Sequence, residues 1–298
     1  MIVVRLMGGV GNQMFQYAAA RRLSLAKGVE LRLDISFHVS NQGPETPRPF
    51  LLDRFEIAGK VIDPKELKEF LEAGLPEYRH SINRTAERVT GHRLFRNPRV
   101  FVERDKNFEP GVLDLPDDVY LDGYFQSERY FVDVRDVILK EFTVRAPMNP
   151  SNADLAKLIS ESGSVCLHIR RGDYYSNAAC RAVHAVDLSD YYRKAIALMR
   201  ERHGDCRFFI FSDEPEWVRK NFDLQRDGVV VDVNSPDDPE QDLHLMSLCG
   251  NFIIANSSFS WWGAWLSKNP DKIVIAPKRW FLDDRNVKDR CPEEWIRI

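Results

Sequence analysis

At 298 residues the chain is longer than one hydrophobic core usually serves, so two domains of about 150 residues are expected. Apolar residues at 44% and charged residues at 29% give an ordinary globular balance that excludes extended disorder, and a net charge of -3 excludes general attraction to nucleic acid or an anionic membrane. Five scattered cysteines without a CxxC pair argue against a zinc cluster, and no apolar run is long enough to span a bilayer.

The chain opens as a strand over Ile2 to Leu6, turns through Gly8, Gly9 and Gly11, and enters a helix from about Asn12 to Ala26. On that helix Phe15, Ala19, Leu23 and Ala26 form one apolar face. A strand resumes over Val29 to Asp34, and the Pro- and Gly-containing stretch Asn41 to Pro49 reads as loop. Helical patches rich in basic residues occupy Asp63 to Arg99, followed by a strand over Val119 to Tyr124 and a helix through Val134 to Lys140. Pro147 and Pro150, which lack amide donors, mark a linker. The domains are therefore placed at 1–148 and 149–298.

Beyond the linker, strands at Val165 to Ile169, Arg207 to Phe211, Val229 to Val233, Phe252 to Asn256 and Lys272 to Ala276 alternate with helices near Ser189 to His203, Pro215 to Asn221, Pro239 to Cys249 and Phe259 to Ser267. Strict alternation specifies a parallel, doubly wound sheet, whose ligands bind beyond the carboxyl ends of its strands.

Three loops at such ends carry the chemistry. His168 to Tyr174 (HIRRGDY) offers Arg170 and Arg171, whose planar forks suit a phosphate, with Asp173 nearby. A surface ion-pair network is the bland alternative, and strand position favours a ligand. His168 shares a face with Arg170 and reads as an orienter rather than a base. Asp213, after the next strand, either accepts from a nucleoside or caps the helix starting at Pro215, with capping the better reading of that residue alone. In ANSSFSWWGAW (Ala255 to Trp265), Ser257 and Ser258 stand at a helix N-terminus able to hold phosphate without a metal, while the tryptophans pack. The N-terminal GGVGNQM has Met14 where a dinucleotide fingerprint needs its third glycine, which disfavours NAD. No D-x-D pair occurs to hold a nucleotide-bound divalent ion, so no metal or other cofactor is expected.

Taken in order, GGVGNQMFQYA, LDGYFQSERYF, HIRRGDY, FSDEPEWV and ANSSFSWWGAWL resemble the bacterial-type α1,2-fucosyltransferases of the glycosyltransferase family 11 kind; the likeness covers nearly the whole chain and weakens between Asn41 and Arg104. The resemblance implies an α/β, GT-B-like fold of two Rossmann-like domains facing a cleft, with GDP-fucose as donor substrate and a β-galactoside glycan as acceptor. It implies Arg170 as diphosphate clamp, with Asp173 and His168 as its catalytic companions. Gly9, Gly11, Asn12, Gln13, Arg171, Asp213, Asn256, Ser257, Ser258 and Phe259 would complete the donor site; Asp34, Gln126 and His184 would face the acceptor. A β-linked donor and an α-linked product imply one inverting displacement, with Asp173, Asp34 and, more distantly, His184 open as proton acceptors. The enzyme is expected to be cytoplasmic, soluble or peripheral at the inner face of the membrane. The alternatives are another GT-B GDP-sugar transferase, such as a protein O-fucosyltransferase, and a non-catalytic nucleotide-sugar or glycan-binding module.

Overall fold

The computed structural model describes residues 1–40, 48–79, 82–83, 86, 97–222 and 227–298. Of the loop expected over Asn41 to Pro49, residues 41–47 lie outside that set, as do 80–81, 84–85 and 87–96 of the expected helical patches.

Two parallel sheets form the frame. The first contains β1 (Ile2–Arg5), β2 (Leu31–Asp34), β3 (Lys60–Val61), β4 (Val100–Val102) and β5 (Tyr120–Asp122) in the order β3-β2-β1-β5-β4. The second contains β6 (Ser164–Ile169), β7 (Arg207–Ser212), β8 (Gly228–Val231), β9 (Asn251–Ile253), β10 (Val274–Ala276) and β11 (Ile296–Arg297) in the order β11-β10-β9-β6-β7-β8. This is a two-unit α/β arrangement with a parallel sheet in each unit. β6 sits centrally, with Leu167 opposite Ile210 of β7 and Ile253 of β9. All six of its residues are buried, as expected where helices cover both faces of a parallel sheet.

The first helix runs Val10–Lys27, two residues earlier than the apolar spacing predicts, because Gly9 supplies its N-cap. Gly28 ends it at φ 65°, a left-handed conformation open to glycine, and donates its amide to the Leu25 carbonyl. The helix is buried over much of its circumference, Gln13, Gln16 and Ser24 included, because it is covered twice, by its own sheet and by the helix Ser258–Leu266 of the second unit. Phe15 lies 4.4 Å from the Trp261 ring and 5.0 Å from that of Trp262, and Trp262 stacks on Phe131 at 5.4 Å. The Trp262 indole also donates to the Gly11 carbonyl at 3.0 Å. The tryptophans thus join the two units into one core, each aromatic pair adding about 0.5–1.5 kcal/mol beyond area burial.

The edge strands β3, β4 and β11 escape the sequence reading because two or three residues show no periodicity. The HIRRGDY segment, expected as loop, continues into two short helices, Gly172–Ser176 and Ala178–His184.

Candidate active site

The carboxyl end of β6 delivers Arg170 into a ring of charge. Its guanidinium reaches Asp173 Oδ1 at 2.5 Å through Nη2 and Asp213 Oδ2 at 3.0 Å through Nη1. Asp213 also accepts the Arg171 amide at 2.9 Å. Gly172 makes this possible: a Cβ there would stand 2.2 Å from Asp213 Oδ2. Asp213 does not cap the following helix Pro215–Asn221; Glu214 occupies the N-cap position, and its amide donates to Ser212 Oγ at 3.1 Å. The capping expectation is therefore corrected, because an adjacent cation outcompetes a helix end for the carboxylate.

Asp173 is shared. Its second oxygen pairs with Arg48, which arrives from the first unit between Pro47 and Pro49 and which the sequence reading missed. Burial alone would raise the Asp173 carboxyl, but Arg170 and Arg48 outweigh it and hold the group below the usual carboxylate range. Burial likewise opposes the Arg170 cation, and Asp213 and Asp173 reverse that, so Arg170 stays charged.

The remaining predicted residues divide between neighbours of Arg170 and residues packed away from it. Arg171 turns away from Arg170: it pairs with Glu214 at 2.9 Å and lies 3.7 Å over the Trp217 ring and 4.4 Å over Tyr175. His168 is 3% exposed, its ring 5.8 Å from Phe259, and burial followed by the Arg170 charge lowers its pKa to about 3. It is a neutral wall residue. Tyr174, beside Arg170, stacks on His184 at 4.8 Å and donates to the Asn256 carbonyl at 3.1 Å, so the 168–174 and 256–260 turns meet in one place. Burial lowers the His184 pKa to about 4, which makes it a weak proton acceptor. Asn256 is buried, its amide spent on the carbonyls of His184 and Trp280 at 3.0 and 2.9 Å. Ser257 is also buried and caps the helix Ser258–Leu266 by accepting from the Phe259 amide at 3.3 Å, leaving Ser258 and Phe259 half-buried at the helix start.

In the first unit, Gly9 is open, with nothing within 4 Å of where a Cβ would stand. Gly11 and Gln13 are both engaged within the protein. A Cβ on Gly11 would meet the Ser258 carbonyl carbon at 2.6 Å and the Phe259 nitrogen at 2.7 Å, so this glycine serves the approach of the two units. Gln13 is fully buried and bonds the Gly8 and Pro49 carbonyls and the Leu51 amide, which fixes the segment bearing Arg48 and leaves no group for a ligand. Asp34, 3% exposed, accepts from the Tyr120 hydroxyl at 2.6 Å and the Ser36 amide at 2.9 Å, so it lies behind the cleft surface rather than on it. Asn12 accepts from Gln126 at 2.7 Å, and Gln126 in turn accepts from Arg290, a second arginine missed in the sequence. All five cysteines are free thiols. A cavity of about 880 Å³ around Arg135, Trp265 and Lys272 lies elsewhere and is lined by none of the predicted site residues.

This arrangement can hold an anion against a helix start and a fixed guanidinium, with a carboxylate alongside. The sequence model of glycosyl transferase family 11 matches residues 100–298. Over 304 residues the chain is 34% identical to the alpha-1,2-colitosyltransferase of Escherichia coli, covering 100% of this chain and 98% of that protein. It is 35% identical over 309 residues to the O-antigen biosynthesis glycosyltransferase WbnK of Escherichia coli, covering 98% and 99%. Against galactoside alpha-(1,2)-fucosyltransferase 1 of Leontopithecus chrysomelas it is 29% identical over 190 residues, covering 60% and 52%. With two thirds of the chain inside the family model and full-length relatives above 30%, the chain belongs to glycosyltransferase family 11 and is a glycosyltransferase.

Proposed function

We propose that the chain transfers L-fucose from GDP-β-L-fucose to the 2-hydroxyl of a terminal β-galactoside, with inversion and without a metal ion. The observation that carries this reading is Arg170, fixed between Asp173 and Asp213 at the carboxyl end of β6 and lying over Tyr174, whose hydroxyl bonds the Asn256 carbonyl just before the helix Ser258–Leu266. The α-1,2 linkage in the names of two relatives supports the regiochemistry.

In the displacement, the acceptor oxygen bonds to the anomeric carbon while the anomeric bond to the diphosphate breaks and its electron pair leaves with GDP. Negative charge grows on the diphosphate, where a preorganised guanidinium contributes about 3 kcal/mol. Asp173 takes the acceptor proton. Paired with two guanidiniums it is a weak base, and it strengthens as the diphosphate draws Arg170 away.

A second donor has specific support. The full-length relative named a colitosyltransferase favours GDP-colitose, whose sugar is fucose without its 3-hydroxyl. Incubation with each donor, a β-galactoside and excess EDTA, followed by linkage analysis by NMR, separates the readings. We expect an α1,2-fucosylated product at full rate in EDTA. Transfer only from GDP-colitose would replace the donor, and GDP-fucose binding without transfer would leave a binding module.

A further inference from the structure

We propose that Arg290 is a second diphosphate-binding cation, held ready by Gln126 until the nucleotide arrives. This deepens the proposed function and rests on the donor being a guanosine diphosphate sugar.

The starting point is a balance of charge. Arg170 and Arg48 together meet Asp173 and Asp213, so before ligand binds that cluster carries no net excess. Arg171 is matched by Glu214, and Arg285 by Asp283. Arg290 differs from all of them. It is 4% exposed and, among the described residues, has no carboxylate within ion-pair distance. Its Nη1 donates to the neutral Gln126 side chain, and its Nε is buried without a partner. The guanidinium carbon lies 5.1 Å from the Trp280 ring and 5.2 Å from that of Phe281, contacts that compensate a buried charge only in part. Burial lowers its pKa to about 10, so it remains a cation at neutral pH.

An unmatched buried cation is unfavourable unless an anion arrives to share the site. Position supplies the anion. Phe281 packs on His184, His184 stacks on Tyr174, and Tyr174 lies under Arg170, so Arg170 and Arg290 flank one aromatic stack. On the other side Gln126 connects Arg290 to Asn12 in the first turn of the helix that follows the open Gly9.

Gln126 is itself built into place. Phe125 before it has φ 49°, a left-handed conformation costly for a bulky residue, and Glu103 holds the turn by accepting the Tyr124 and Phe125 amides at 2.8 and 2.9 Å. A neutral amide satisfies the guanidinium without cancelling its charge, which leaves that charge for a diphosphate.

Calorimetric titration of the parent and of Arg290→Met with GDP, GMP and guanosine tests this. We expect the variant to bind guanosine as the parent does, GMP several-fold more weakly and GDP at least ten-fold more weakly, with a nucleotide-free Tm no lower than the parent's. GDP affinity within two-fold of the parent, or an equal loss for guanosine, overturns the inference. Should the Met variant fail to fold, Arg290→Lys gives the same comparison, with a smaller but still phosphate-dependent loss expected. A parent that binds no GDP would instead defeat the functional proposal itself.

Discussion

The two sheets of this protein each send a central strand into a glycine-containing turn and a helix, yet the turns do different work. After β1 the sequence Gly8 to Gly11 is rich in glycine and poor in charge; after β6 the sequence Arg170 to Asp173 is the reverse. In both, one glycine is required for close approach. Gly11 admits the Ser258–Phe259 backbone of the other unit, and Gly172 admits the Asp213 carboxylate. The glycine-rich turn, which on local pattern looks more like a phosphate loop, is mainly a joint between units. The charged turn is where an anion would be held. What a βα turn does is decided by what lies across from it, and that information is tertiary.

The comparison breaks first at Arg170. As the cation fixed at the β6 turn, Arg170 should on replacement by Ala reduce kcat by about 10², the loss of one well-placed transition-state donor, in steady-state assays with GDP-fucose. A fold retained by circular dichroism is part of the expectation. A fall of less than ten-fold would move the clamp elsewhere. Gly11→Ala tests the other turn. Its Cβ would press on backbone atoms that cannot swing aside, so overpacking should cost about 1–3 kcal/mol and lower Tm by several degrees. Gly9→Ala, with open space around it, should leave Tm unchanged. Equal effects at the two positions would mean that the units do not meet as described. Smaller still, Trp262→Phe keeps an aromatic ring in place and removes the indole donor from the Gly11 carbonyl, which retains its helical amide partner, for an expected loss of about 1 kcal/mol from that hydrogen bond in urea denaturation.

How far all this could be read beforehand follows from range. The β6 to β10 alternation was legible because each strand is an apolar run with turn residues on both sides. The convergence of Arg170, Asp173 and Asp213 was legible because in parallel sheets the loops beyond the carboxyl ends of neighbouring strands lie together. Arg48 was not, since its meaning comes from Asp173, 125 residues away. Nor was Arg290, which looks like an ordinary polar residue in a charged C-terminal segment until its burial and the lack of a carboxylate partner among the described residues are seen together. Gln13 runs in the opposite sense. An amide beside a glycine turn suggests a ligand, but full burial gives it three backbone partners. A polar residue just inside a helix start, within an otherwise apolar stretch, was the available hint.

The last expected effect concerns His168, the neutral wall of the charged turn. An unfolded histidine takes up a proton near pH 6.5, whereas His168 in the folded chain resists protonation down to about pH 3. The unfolded state therefore binds more protons across that window, and stability falls as pH drops below about 6.5, by up to about 1.4 kcal/mol per unit for this one group. Asp173 acts lower down: its folded-state value is depressed, so the stability it supplies persists above the ordinary carboxylate range and is lost only as pH falls through and below it. Between pH 6.5 and 5 the histidine contribution is thus separable. Urea midpoints at pH 7, 6 and 5 should decline more steeply for the parent than for His168→Gln, while His184, present in both, cancels in the difference. Parallel declines would mean that His168 titrates normally in the folded chain, and that water reaches the wall between Arg170 and Phe259.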